Sequence, residues 1–193
     1  TLTTDGINSN AAFISKGGSG VDDFVLQMEG GDLTFKVYSD NSSYGAAIIP
    51  LDWDLYKAKR WYHVTGTWGN GQVGLYLHEA GAEIAYIPNN FTGPAKATGT
   101  VRLGSQFSNA AGNTNLFGFI RNARLWKRAL TSDEIYMNLR LNAPIDRGFD
   151  CVANFPLIST LINYNGAALN PNPACTWQDK AYWWTAYPYP VNW

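Results

Sequence analysis

The sequence predicts an all-β fold of antiparallel strands with one short helix. Aromatic residues make up 15% of the 193 residues, and Gly, Asn, Ser and Thr are frequent between them. This composition is typical of pleated strands joined by tight turns. Several short segments alternate apolar and polar residues, which is the period of a strand with one buried face, and one segment carries a helix-start signal. A chain of this length fits one domain, which would bury about 70% of its unfolded surface.

The charge content narrows the classes of partner. Charged residues are 15% of the chain, and the formal net charge is −1. Nucleic-acid-binding domains carry a clustered basic face, so no nucleic-acid partner is expected. The sequence has no run of about 18 apolar residues, so no transmembrane segment is expected either. The composition indicates an extracellular β-protein, secreted or held at the cell surface.

Three strands are predicted near the start of the chain. Residues 24–28 and 33–37 flank Glu29-Gly30-Gly31-Asp32, which reads as a hairpin turn because Gly adopts positive φ angles without strain. Residues 45–49 form a further apolar strand, which Pro50 ends. The first two strands should therefore pair antiparallel.

A second hairpin is predicted over residues 61–77. It turns at Asn70-Gly71, since both residues tolerate the left-handed region. Alternation along its second strand places three apolar side chains on one face: Val73, Leu75 and Leu77. Residues 83–87 and 98–103 complete this set of strands.

The most informative segment runs from residue 116 to residue 135. Its apolar residues recur with nearly a two-residue period, which predicts one half-buried strand: Phe117, Phe119, Ala123 and Leu125. Thr131 is followed three residues later by Glu134, the spacing of a capping box, so a short helix should begin at Thr131 and reach about Leu141. A final strand is predicted over residues 151–157.

Three segments resemble the laminin-G-like, concanavalin A-like jelly roll, a superfamily that also includes the pentraxins. They are residues 13–18, residues 61–77, and the stretch that ends in Arg128-Ala129-Leu130-Thr131 followed by Glu134-Ile135. The resemblance covers roughly residues 11–137. It implies a single domain over residues 1–193, built as an antiparallel β-sandwich jelly roll with one short α-helix.

Both ends of the chain differ from this family pattern. The family usually has one or two strands before the segment at residues 13–18, and none is recognisable here, so N-terminal strands are expected to be missing: cleaved, omitted or supplied by another chain. Residues 142–193 form a C-terminal extension, and residues 177–193 are rich in Trp and Tyr. Pro188 and Pro190 keep this tail extended, so we expect an ordered strap across the sandwich or across a neighbour.

Sugar recognition is the binding chemistry that the residues permit best. It needs an aromatic ring for the apolar side of a pyranose and a few polar groups on loops of a rigid scaffold. The candidate ligand-binding residues are Asp40, Asn41, Tyr44, Trp53, Trp183 and Trp184. The alternative is that the Trp residues pack in the core or against a partner.

Calcium is a candidate cofactor, because many relatives bind it at the edge of the sandwich through hard oxygen ligands. The candidate ligands are Asp22 and Asp23, and Asp40 with Asn41. Their spacing is not diagnostic, and the alternative is that both pairs are turn-forming residues.

Two covalent features are also predicted. Cys151 and Cys175 are expected to form a disulfide, which would stabilise by roughly 3 kcal/mol in the loop-entropy model, and the alternative is two separate buried thiols. Asn41 and Asn90 each begin an N-glycosylation pattern, which would make the chain a glycoprotein in a eukaryotic secretory pathway.

The chain is predicted not to be an enzyme. Glycoside hydrolases of this superfamily use paired carboxylates, but the Glu-x-Asp-x-Glu strand is absent and the Glu residues are scattered. His63 and His78 match no nucleophile or base motif, and His63 is interpreted as an ordinary strand residue. Glycoside hydrolysis is the less favoured alternative.

Two functions of different classes remain. The first is a non-catalytic, lectin-like or adhesion module that binds a glycan or another extracellular protein, which would lose binding on replacement of Trp53 or Trp183. The second is a structural subunit of a larger surface complex, in which the aromatic tail and strand complementation join chains, including a second chain that completes the sandwich.

Overall fold

The computed structural model describes residues 2–4, 10–18, 21–40, 43–51, 61–93, 99–105, 116, 118–139 and 150–155. Within these ranges it has twelve strands and one helix. The elements in chain order are β1 (Leu2–Thr4), β2 (Asn10–Gly18), β3 (Val21–Glu29), β4 (Asp32–Tyr38), β5 (Tyr44–Ile49), β6 (Tyr62–Gly69), β7 (Gln72–Glu79), β8 (Ala82–Asn90), β9 (Thr100–Leu103), β10 (Gly118–Ile120), β11 (Ala123–Trp126), α1 (Ser132–Leu139) and β12 (Cys151–Phe155). No described helix is long and apolar enough to cross a membrane.

The strands form two five-stranded antiparallel sheets and one two-stranded ladder. Sheet A has the order β10-β1-β6-β7-β8, sheet B has the order β5-β4-β3-β2-β9, and β11 pairs with β12. The chain divides into two compact units: residues 1–120 with 128–141, and residues 121–127 with 142–193. Both large sheets belong to the first unit, and the β11–β12 ladder belongs to the second. The single-domain prediction stays a prediction.

The core of the first unit lies between sheets A and B. Alternate residues of β3 to β7 enter it, as the two-residue period requires. Sheet B contributes Leu26, Leu33, Phe35 and Val37, among others, and sheet A contributes Tyr62, Val73, Leu75 and Leu77. A Cβ atom built on Gly66 of β6 would lie 2.5 Å from the Phe35 ring of β4, so that ring lies directly against the facing sheet. The predicted antiparallel β-sandwich is confirmed.

Tight turns set the register of the hairpins. Gly30 and Gly31 have φ angles of 62° and 97°, and Asn70 and Gly71 have φ angles of 52° and 75°. Two consecutive positive φ angles give the turn whose twist matches that of paired strands. Both predicted hairpins are confirmed. A third two-residue turn, at Ala80-Gly81, joins β7 to β8 and was not evident from the sequence.

The predicted single strand over Phe117 to Leu125 is wrong. The described part of this segment forms β10 and β11, which belong to different sheets. Asn122 has a φ angle of 53°, which interrupts the extended backbone between them. Alternation therefore continued across a break that the sequence pattern did not reveal.

A short strand precedes β2, although none is recognisable in the sequence. β1 lies between β10 and β6, with Leu2 opposite both Ile120 and Tyr62. Three residues are too few for a periodic pattern, so the sequence carries no signal for this strand. β1 is therefore a strand upstream of residues 13–18 that the sequence does not reveal, and the expectation that further N-terminal strands are missing stays a prediction.

The capping box at the start of α1 is confirmed. The Thr131 N–H donates to the Glu134 carboxylate at 2.8 Å, and the Glu134 N–H donates to the Thr131 hydroxyl at 3.3 Å. Arg128 donates two hydrogen bonds to the same carboxylate, at 2.8 and 2.6 Å. These contacts, that of Arg128 foremost, lower the pKa of Glu134 to about 2. The helix begins at Ser132, directly after this cap, and residues 140 and 141 lie outside the described ranges.

Candidate functional site

Two of the six predicted ligand-binding residues lie together at the end of the β4–β5 hairpin. Tyr44 is the first residue of β5, and Asp40 lies in the connection between the two strands. The other four lie outside the described residues: Asn41, Trp53, Trp183 and Trp184. Their predicted roles stay predictions, so the candidate site is built from the hairpin end.

Tyr44 is an exposed aromatic ring with a fixed neighbour. It lies opposite Tyr38, and the ring centroids are 5.3 Å apart at an interplanar angle of 48°. The next pair toward the turn is hydrogen-bonded, because the Ser39 N–H donates to the Ser43 carbonyl at 3.0 Å. The Tyr38–Tyr44 pair is consequently a non-hydrogen-bonded pair, the kind that brings side chains closest. Tyr44 remains 49% exposed.

Lys36 supports the Tyr44 ring from within sheet B. Its ammonium lies 4.9 Å from the ring centroid and 2.6 Å from the Glu29 carboxylate. The Lys36 side chain is largely buried, so both contacts act where solvent screens them less. The ring is thereby held in one orientation by a cation and a second aromatic side chain.

The same hairpin end carries polar groups. The Asp40 carboxylate is exposed and accepts the Ser43 N–H at 2.7 Å, which fixes the loop around it. Burial raises the pKa of Tyr38 to about 12, with further contributions from Asp22, Glu29 and Tyr44, so its phenol keeps its proton at neutral pH. The hairpin end therefore offers an apolar ring face, a carboxylate acceptor and a phenol.

Three of the four predicted calcium ligands, Asp22, Asp23 and Asp40, lie within the described residues, and Asn41 lies outside them. Asp22 and Asp23 are buried residues of β3, so the alternative that they form a turn is wrong. Asp40 lies in the connection between β4 and β5, so the alternative that it is a turn residue is confirmed. The Asp23 carboxylate already pairs with the Lys16 ammonium at 2.7 Å, and a cation there disfavours Ca²⁺. Among the described residues, no three His, Cys, Asp or Glu side chains are placed to hold one ion. Calcium binding stays a prediction.

The covalent predictions fall partly on described residues. Cys151 is buried in β12, where its thiol donates to the Ala153 carbonyl at 3.4 Å, and Cys175 lies outside the described ranges. Asn90 is exposed at the end of β8, where its side-chain amide is accessible for glycosylation. Asn41 lies outside the described residues. The disulfide and both glycosylation sites stay predictions.

Three of the scattered glutamates have other partners. Glu29 pairs with Lys36, and Glu134 caps α1. The Glu83 carboxylate lies 3.9 Å from the His78 imidazole. A glycosidase needs two carboxylates facing each other across a substrate cleft, roughly 5–9 Å apart. These three carboxylates belong to separate contacts rather than to one such pair.

A second cluster lies on the face of sheet A that points away from the core. His63 and His78 face each other across β6 and β7, with ring centroids 6.0 Å apart. Tyr76 and Tyr86 stack beside them, with centroids 4.1 Å apart. The sequence motifs predict that His63 is an ordinary strand residue and predict no contact between it and His78. The signal was present, since both histidines are equally far from the Asn70-Gly71 turn, and a two-residue turn places such residues opposite each other.

His78 is the most buried member of this cluster, with 3% of its surface exposed. Burial lowers the pKa of its imidazole, and the Glu83 carboxylate opposes that shift. His63 is held by a 3.3 Å contact between its Nδ1 and the Thr65 hydroxyl. At neutral pH the cluster thus contains a neutral, buried imidazole beside an exposed carboxylate.

Comparison with known families identifies the superfamily. A laminin G-type family model of the concanavalin A-like lectin/glucanase superfamily matches residues 2–136. The chain belongs to this superfamily. The match includes both sheets of the sandwich and the start of α1, and it extends upstream of the resemblance seen in the sequence. The superfamily contains both lectins and glucanases, and no curated protein matches the chain significantly.

Proposed function

We propose that the protein is a non-catalytic, extracellular carbohydrate-binding module of this superfamily and that the β4–β5 hairpin end binds the sugar. The observation that carries the proposal is the exposed Tyr44 ring, held by Lys36 and Tyr38 beside the Asp40 carboxylate. A pyranose presents an apolar face and a rim of hydroxyls. A rigid aromatic ring with nearby acceptors and donors complements both features at small entropic cost.

A binding role is favoured over hydrolysis by the state of the carboxylates. Glu134 accepts hydrogen bonds from Arg128, which lower its pKa, so it is ionised and cannot donate a proton to a leaving group, and the Glu29 carboxylate accepts a hydrogen bond from Lys36. Glycoside hydrolysis requires one carboxyl that is protonated near neutral pH. Glu83 lies beside an imidazole on the other sheet and not at the hairpin end.

The test is a glycan-array screen of the purified protein, followed by titration of the best ligand. Replacement of Tyr44 by Ala should weaken binding about tenfold or more, which corresponds to about 1.4 kcal/mol. The matched control is Ile48→Ala. Ile48 lies on the same strand and the same face as Tyr44 and is similarly exposed. Equal binding by the two variants, or no saturable binding to any glycan, would reject the hairpin-end site.

The same titration decides the role of calcium. It is run in calcium and again with a chelator that binds calcium selectively. Loss of binding in the chelator would support calcium as a cofactor of the site. Unchanged binding would exclude calcium from the interaction and leave the aromatic ring and Asp40 as its basis.

A second candidate function, assembly through strand pairing, is favoured by one observation. Among the described strands, β8 is at one edge of sheet A, and it exposes Ile84, Tyr86 and Ile87. The backbone pattern limits that edge, however, because Ile84 is the extra residue of a β-bulge and Pro88 lacks an N–H. Bulges and prolines are the devices that discourage edge-to-edge pairing. Size-exclusion elution of the same sample tests this candidate, and a large assembly without glycan binding would favour it.

A further inference from the structure

The end of β8 contacts the strand that carries Tyr44. Asn89 and Asn90 are the last residues of β8, and the chain continues through residues 91–93. The Asn89 side-chain amide donates a hydrogen bond to the Ala46 carbonyl of β5, with 2.8 Å between Nδ2 and the carbonyl oxygen. β8 belongs to sheet A and β5 to sheet B. The hydrogen bond therefore joins the two sheets two residues away from Tyr44.

The Ala46 carbonyl points away from β4, the ladder partner of β5. The Tyr38–Tyr44 pair is non-hydrogen-bonded, and the Lys36–Ala46 pair, two residues along the ladder, is of the same kind. Backbone groups in such pairs are directed to the other side of the strand. Among the described strands β5 pairs with β4 alone, so the Asn89 amide occupies a position that a further strand would otherwise take.

Phe91 packs on the backbone of β5 directly beside Tyr44. A Cβ atom built on Gly45 would collide with the Phe91 ring, so this ring lies against the strand with no room for a side chain between them. The Phe91 N–H donates to the Gly71 carbonyl at 2.8 Å, which ties the segment to the turn between β6 and β7. The ring also packs against the hydrophobic core. Gly45 follows Tyr44 in the chain, so this contact fixes the backbone next to the exposed ring.

The same segment reaches the connection between β4 and β5. A Cβ atom built on Gly93 would lie 2.7 Å from Cζ of Phe91 and 3.0 Å from Cβ of Ser39. Residues 89–93, here called the β8 brace, therefore contact the hairpin end at three positions: Ser39, Gly45 and Ala46.

We propose that Asn89 is a positioning residue of the sugar site, which holds β5, and with it the Tyr44 ring, in the orientation that stacks on a pyranose. This inference rests on the proposed function. A strand with a ladder partner on one side only opens more easily than an inner strand. A ring that is already fixed loses less conformational entropy on binding, so the brace raises affinity without touching the sugar.

The experiment measures affinity and backbone motion on the same variants. Full-length protein is produced in bacteria, so Asn90 carries no glycan, and it is titrated with the oligosaccharide that ranks highest on the glycan array. Asn89→Ala should weaken binding about fivefold, the factor that corresponds to one ordinary hydrogen bond. Hydrogen–deuterium exchange should become faster in β5 of the same variant. Circular dichroism checks that each variant is folded.

Asn90→Ala is the matched control. Asn90 is the same residue type at the next position, is also exposed, and lies by alternation on the opposite face of β8. Affinity and exchange should both be unchanged in Asn90→Ala. Natural affinity in Asn89→Ala overturns the positioning role, and unchanged exchange in β5 overturns the brace itself.

A double variant separates positioning from a general loss of stability. If Asn89 acts through Tyr44, adding Asn89→Ala to Tyr44→Ala should weaken binding little further. A full fivefold loss in that background contradicts the positioning role. The proposed function fails by a different result, namely no saturable binding by the natural chain or natural affinity in Tyr44→Ala, and the inference then falls with it. Binding that depends on Tyr44 but not on Asn89 rejects the inference alone.

Discussion

A methyl group added at Gly66 tests whether the two sheets face each other as described. The Cβ atom of an alanine at this position would lie 2.5 Å from Cγ and Cδ2 of the Phe35 ring and 2.8 Å from Cδ1. Ordinary carbon–carbon contacts begin near 3.4 Å, so the ring would have to move by about 1 Å. Phe35 is buried in the core and its ring lies 6.2 Å from that of Phe24, so little space is available for the movement.

The expected cost follows from two opposing effects. Overpacking a core costs about 1–3 kcal/mol, whereas replacing Gly by Ala in a strand gains about 0.5–1 kcal/mol through the unfolded chain. We expect Gly66→Ala to lower the free energy of unfolding by about 1–2 kcal/mol. For a domain of this size, that corresponds to a fall in Tm of about 2–8 °C.

Urea denaturation followed by tryptophan fluorescence measures this change. Gly18→Ala is the control, because its Cβ would meet its nearest heavy atom, the Cα of Gly99, at an ordinary 3.6 Å. The double variant Gly66→Ala with Phe35→Leu should cost less than the sum of the two single changes, since the smaller side chain relieves the clash. A Gly66→Ala protein within about 0.5 kcal/mol of the natural one would refute the packing of β4 on β6.

Three further predictions concern the helix cap, a buried imidazole and a tight backbone contact. Thr131→Ala should lower the free energy of unfolding by about 1 kcal/mol, because it removes the hydroxyl acceptor of the capping box. The control Ser132→Ala should change the free energy of unfolding little. Chemical denaturation measures both variants. In the folded protein the pKa of His78 is below its ordinary value of 6.5. Below pH 6.5 the unfolded chain therefore binds more protons than the folded protein. The free energy of unfolding should fall as the pH falls, by at most about 1.4 kcal/mol per pH unit. Urea titrations from pH 8 to pH 5 measure this slope, and His78→Gln should reduce it; an identical slope in both proteins would contradict the assignment. Gly99→Ala should lower Tm more than Gly104→Ala, because both positions have positive φ angles but only at Gly99 would the added Cβ collide with a backbone carbonyl of β2.

Part of the candidate site could be read from the sequence. The sequence predicts Asp40 and Tyr44 as sugar ligands because aromatic and carboxylate groups close together in a loop suit a sugar. Their shared position at one hairpin end follows from their closeness in the chain. The supporting role of Lys36 could not be read in this way, because its contact with Tyr44 depends on side-chain packing across β4 and β5. The ion pair of Asp23 with Lys16, which makes Asp23 a poor calcium ligand, depends on the pairing of β2 with β3 and likewise could not be read from the sequence.

The sequence by itself determined the features that depend on neighbouring residues. Backbone conformations and hydrogen bonds within a few residues set the turns at Gly30-Gly31 and Asn70-Gly71 and the cap at Thr131. The two-residue period sets the alternation of side chains along the strands. Only the tertiary structure decided which strands are neighbours. β1 lies between β6 and β10 because distant segments pair. The break at Asn122 and the contact of Glu83 with His78 each depend on a local irregularity of the backbone. Such pairings depend on the burial and packing of the whole sheet, which no short stretch of sequence encodes.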